Sequence, residues 1–153
     1  MGFMVTRQPV VLKLFVAIAR EQVLGYLRAI GWPGSLAEAF SLIATFGAGP
    51  DTFRLDLTIG EGLLPRLGLE FASRRGRDPD RRALIDRCVD QGLCMPEKRD
   101  ALISWPGMTN EAIPGYVRPA RLSRWIDMKI VHRPPEPLEA KAYLGFMIHF
   151  SLL

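Results

Sequence analysis

The sequence predicts an α+β fold: a mainly antiparallel sheet of about five strands with helices on one face. Three observations predict it. Several short runs alternate apolar and polar residues with period two, as half-buried strands do. Apolar residues recur at helical spacing ahead of two similar stops, AIGWPGS (29 to 35) and LISWPGM (102 to 108). With 153 residues, 48% of them hydrophobic and 24% charged, the chain is long and apolar enough for a single domain, 1–153, with its own core.

Each element can be justified in turn. VLKLFVAI (11 to 18) reads as a leading strand within 10–19. In EQVLGYLRAI (21 to 30), Val23, Leu24, Leu27 and Ile30 share a helical face, and Gly31 is placed to end the helix. Ser35-Leu36-Ala37-Glu38 has the capping-box pattern and opens a helix to about Phe46. Phe53 to Ile59 and Arg66 to Phe71 alternate on either side of a Gly/Pro-rich turn and form a hairpin. Asp78 and Pro79 suit a helix start, as do Pro96 and Glu97 for the helix ending at Trp105. A loop with a short helix is expected over 108–124. A second hairpin follows, from Ile126 to Val131 and from Lys141 to Phe146, joined by HRPPEP.

The two halves share a spacing. Trp32 to Trp105 and Leu55 to Met128 are both 73 positions apart, and Phe71 to Phe146 is 75. A fixed offset across a helix end and two strands points to tandem αββ repeats, one over about 20–72 and one over about 79–150. The leading strand then resembles the second strand of an earlier unit, so the chain is expected to be a fragment or to start inside a longer relative. Trp-Pro-Gly itself reads as punctuation, with proline blocking the helix, glycine turning and tryptophan packing under the corner.

Period two also divides each strand into two faces. The apolar set includes Leu12, Leu14, Leu55, Leu57, Leu67, Leu69, Met128, Ile130, Leu144, Phe146 and Ile148, and it is expected to pack beneath the helices. The opposite set holds five basic residues, Lys13, Arg54, Arg66, Lys129 and Lys141, with the acids Asp56, Glu70 and Asp127 and the aromatics Phe15 and Tyr143. On an open sheet this is a solvated polar face, and the chain is a non-catalytic accessory or protein-interaction domain. On a sheet closed by a homodimer partner or by missing repeats, the same residues line a cavity for an anionic small molecule.

The basic residues on alternating strand positions, and the local pattern Lys141-Ala142-Tyr143, resemble the ABBA-type aromatic prenyltransferases, whose αββα repeats close into a barrel around the site. The resemblance implies a metal-independent transfer of an allylic group from its diphosphate to an aromatic acceptor. Arg54, Arg66, Lys129 and Lys141 would be ligand-binding and hold the diphosphate. Tyr143 would shield the allylic cation, and Glu70 would orient or deprotonate the acceptor. The family has about twice as many strands as this chain, which would make it a partial or degenerate member.

Other functions find less support. The net charge is only +4. The densest basic run, Arg74 to Arg82, lies between a strand and a helix and reads as a solvated loop. Arg118, Arg121 and Arg124 read as surface. Nucleic acid is therefore not an expected partner. Cys88 and Cys94 have no disulfide framework or metal spacing, and they read as reduced thiols in a cytoplasmic protein. No metal or cofactor is expected, and no apolar run reaches the roughly 18 residues of a membrane span.

Overall fold

The computed structural model describes residues 2–4, 11–47, 52–71, 79–115 and 119–150. In chain order these form β1 (Gly2–Met4), β2 (Val11–Ala19), a 3-10 turn (Arg20–Gln22), α1 (Val23–Ala29), α2 (Leu36–Phe46), β3 (Thr52–Ile59) and β4 (Leu63–Phe71). There follow α3 (Pro79–Asp90), α4 (Pro96–Ser104), β5 (Gly107–Glu111), β6 (Ala120–His132) and β7 (Glu139–His149). The fold is α+β, with a mostly antiparallel sheet. Its contacts divide into two compact units, Met1–Ala72 with Met128–Lys141, and Ser73–Asp127 with Ala142–Leu153.

In the first unit β2 pairs antiparallel with β3, from Leu12 opposite Ile59 to Ala19 opposite Thr52. β3 pairs with β4, and β4 with the second part of β6, where Leu67 faces His132 and Phe71 faces Met128. Leu55, Leu57, Leu67, Leu69, Met128 and Ile130 are buried together on one side of this sheet. Each such side chain removed from water stabilises the fold by about 1.5–3 kcal/mol. α2 covers this side. Its Ala39, Leu42, Ile43 and Phe46 are buried, and its Glu38 Oε2 lies 3.1 Å from Nε2 of His132, the register partner of Leu67.

The turn chemistry is local and follows the sequence. α1 ends as Gly31 takes φ 64°, a left-handed conformation that side-chain-bearing residues avoid. The Trp32 indole then donates to the Leu64 carbonyl at 3.1 Å, and its ring lies over Gly34, where a Cβ would collide with it. Ser35 Oγ accepts from the Glu38 amide at 3.2 Å, which caps α2.

In the second unit α3 begins at Pro79 and buries Leu84, Ile85 and Cys88. Arg99 Nε donates to Asp86 Oδ1 at 2.5 Å, tying α4 to α3. α4 starts with Pro96 in its first turn. After it, the Trp105 indole donates to the Trp125 carbonyl at 3.1 Å, and the Arg124 guanidinium stands 5.7 Å from the Trp105 ring centre. Burial pushes the Cys88 thiol up to about 11, with the neighbouring Cys94 acting in the same direction. A thiol reagent at near-neutral pH is therefore expected to modify the half-buried Cys94 in the folded chain and to reach Cys88 only after denaturation. Equal native reactivity of the two would contradict this packing.

Among the described residues seven strands stand where about five were expected, and two of the departures from the sequence reading are instructive. Residues 107–111 form β5, and β6 starts at Ala120, where a loop and short helix were expected. Met108, Thr109 and Asn110 pair with Ser123, Leu122 and Arg121, a non-local ladder that period analysis of a polar stretch does not reveal. The chain thus enters a helix after the first Trp-Pro-Gly and a strand after the second. The other departure is β7, where Leu144 and Phe146 are 53% and 63% exposed instead of buried. β7 pairs with β6 and with no other described strand. Alternation sorted its residues into two sets, but among the described residues nothing covers the apolar one. Residues 74–78 of the basic run and Arg118 lie outside the described residues, as does the side chain of Phe53. Among the described residues no helix is long and apolar enough to cross a membrane.

Candidate functional site

The alternation that sends Leu55 and Leu57 into the core turns Asp56 to the other side of β3. Phe15 of β2 and Gly68 of β4 flank it in register, and Lys13 pairs with Thr58. One strand further on, Lys129 of β6 lies opposite Glu70. Asp56, Thr58 and Lys129 are only 1%, 3% and 7% exposed, so this polar face has a buried ionic centre.

The charged side chains converge on Asp56. Its Oδ2 accepts from Arg66 Nη1 at 3.0 Å and from Lys129 Nζ. Lys13 Nζ stands 3.7 Å from Oδ1 and donates to Thr58 Oγ1, which also accepts from Arg66 Nη1 at 3.0 Å. Phe15 closes one side, with its ring centre 5.3 Å from Lys129 Nζ. Gly68 is what lets Lys129 cross β4. A Cβ there would stand 2.7 Å from Lys129 Cε and 3.0 Å from Asp56 Cβ.

Among the described residues three cations share the Asp56 carboxylate, an excess of two positive charges at that group. The adjacent Arg54–Glu70 pair, at 3.4 Å, is neutral and does not change that balance. Burial alone would raise the Asp56 carboxyl, but the Lys129 hydrogen bond and charge, followed by those of Arg66, outweigh it and hold the group below its ordinary value. Lys13 responds in the opposite sense to its usual role. Burial, reinforced by the like charges of Arg66 and Lys129, lowers it to about 8 against the pull of Asp56. Among the described residues, nothing donates a hydrogen bond to two buried acceptors, Asp56 Oδ1 and Glu70 Oε2.

Of the residues singled out in the sequence, Arg66 and Lys129 meet at Asp56, and Arg54 and Glu70 pair beside them. Lys141 instead pairs with Glu139 on its own strand, at 3.2 Å. Tyr143 is exposed on β7, in the second unit. Asp56, Lys13 and Thr58 were not among the expected site residues, although all three lie on the polar face. One signal was available: Gly68 interrupts an otherwise filled strand, a common mark of close approach by another group. No protein-family model, curated protein or solved structure matches the chain.

Proposed function

We propose that this chain binds a small anionic molecule on the polar sheet face of its first unit, held by Arg66, Lys129 and Lys13. The observation that carries the reading is the charge imbalance at Asp56. A buried carboxylate neutralises one of its three cationic partners, and a phosphate or diphosphate could neutralise the others through charge-assisted hydrogen bonds. Arg66 supplies the planar fork suited to such oxygens. In the finer, prenyltransferase-like version, the anion is an allylic diphosphate whose leaving charge these cations stabilise, and the free Glu70 Oε2 is the acceptor-orienting group.

Calorimetric titration at near-physiological salt, without magnesium, tests the reading with inorganic pyrophosphate and a non-hydrolysable allylic diphosphate. Saturable binding is expected, weakened by about tenfold or more in Arg66→Met, as loss of a charge-assisted pair implies. No binding by a folded chain would overturn it. Tighter binding of the allylic compound than of pyrophosphate would support the transfer chemistry, and its loss in Lys141→Ala would bring β7 into the site.

One observation favours a second reading, a protein-interaction domain: β7 is an edge strand with Leu144 and Phe146 exposed. If a second copy covers this edge, light scattering of the purified chain will show a dimer that Phe146→Glu dissociates. A monomer at every concentration would exclude a homodimer.

A further inference from the structure

Among the four lysines of the chain, Lys13 differs in its setting. Its side chain remains 15% exposed, more open than the 8% of Lys129. Around Nζ are the Thr58 hydroxyl, Asp56 Oδ1 in an ion pair at 3.7 Å, and, across the same carboxylate, the cations Arg66 and Lys129. These are the groups of β3, β4 and β6 that face it. β2 adds the Phe15 ring, which shields Lys129.

We infer that Lys13 is a nucleophilic amine that forms an imine with an aldehyde or ketone carrying an anionic group. This inference rests on the proposed anion site, because Arg66 and Lys129 would hold the anionic group while Lys13 meets the carbonyl. In the reaction the neutral Nζ adds to the carbonyl carbon, and the C=O π pair moves to oxygen, which is protonated. Nitrogen gives up one of its two protons and keeps the other, the hydroxyl takes up a second proton, and the nitrogen lone pair expels it as the C–O bond breaks. Water leaves, and the C=N bond forms. Overall, a protonated lysine and a carbonyl compound give a protonated imine and water. The imine nitrogen carries the same single positive charge as the ammonium it replaces, so the charge balance around Asp56 is preserved. Its remaining N–H has an acceptor at hand in Asp56 Oδ1, to which no described residue donates a hydrogen bond.

The environment also makes the amine available. A lysine beside other cations and partly withdrawn from water holds its lone pair free at lower pH than a solvated one, and the Lys13 value of about 8 agrees with the geometry.

The experiment is reductive trapping of the intact chain with glyoxylate and, separately, with uncharged acetaldehyde, each with cyanoborohydride, followed by peptide mapping. At near-neutral pH, glyoxylate is expected to label Lys13 about tenfold faster than Lys98 or Lys141, as an activated lysine should. That preference should vanish in denaturant. The labelling rate should level off above about pH 8, and Lys129→Met, which removes a like charge, should move this midpoint upward. Labelling of Lys13 no faster than of Lys98 and Lys141 by either aldehyde would overturn the inference, even where pyrophosphate binds by calorimetry. Equal enhancement at Lys13 with both aldehydes would uphold the nucleophile and overturn the anionic class of its substrate. Lys13→Arg, which keeps the charge but carries no nucleophilic amine, should lose the adduct.

Discussion

Asp56→Ala is expected to destabilise the chain by about 3–5 kcal/mol, the range for removing one partner from a buried ion pair and leaving the other uncompensated. Here the removal strands Arg66, Lys129 and Lys13 around a side chain that is fully buried. Thr58 would keep its two donors, but it carries no charge to offset them. Denaturant unfolding reads the loss directly. Asp90→Ala, at an exposed helix end, should stay within about 0.5 kcal/mol. A loss at Asp56 no larger than at Asp90 would mean that the carboxylate is solvated.

The same centre sets two pH dependences of the same sign in separate windows. Asp56 is held below its ordinary value in the folded chain, so between its folded and unfolded values the unfolded chain binds more protons. Its contribution is therefore present at neutral pH and is lost as pH falls below the ordinary carboxylate range and through the folded value. Lys13 is also lowered, and between about 8 and its ordinary 10.5 the unfolded chain again holds the extra proton. Its charge therefore costs stability below about pH 8, and that cost is relieved as pH rises toward 10.5. Removing Asp56 takes away the one interaction that raises Lys13, and should deepen its depression.

Gly68→Val is the second large effect. It is expected to cost about 1–3 kcal/mol by overpacking. The added carbons meet Lys129 Cε at 2.7 Å and Asp56 Cβ at 3.0 Å, so the lysine must leave its route across β4 or β3 must move away. Valine favours strands, so backbone preference alone would predict stabilisation, and the sign of the measured change decides between packing and propensity. Gly62→Ala, with nothing within 4 Å, serves as the control and should be nearly neutral. If lysine withdraws, Gly68→Val should also weaken pyrophosphate binding. A stable variant with unchanged binding would contradict the crossing.

The parts of the fold legible in the sequence were those with local causes. Ser35 capping α2, Gly31 ending α1 and the alternation of β2, β3 and β4 depend on residues a few positions apart. β5 was not legible, because its strand character comes from pairing with residues 120–124. Alternation along β7 marked Leu144 and Phe146 as one face, but burial depends on what packs against that face. The site divided in the same way. Arg66 and Lys129 could be placed on the polar face, whereas Asp56 as their common partner required the registers of β3, β4 and β6, which join residues 73 positions apart.

The central claim is that Lys13 and Lys129 belong to one anion site. The chain has only Lys13, Lys98, Lys129 and Lys141, so side-chain NMR of its lysines can follow each during titration with pyrophosphate. The account predicts that Lys13 and Lys129 shift together and saturate, while Lys98 and Lys141 stay fixed. Unmoved Lys13 and Lys129 signals, or a uniform drift of all four, would contradict it.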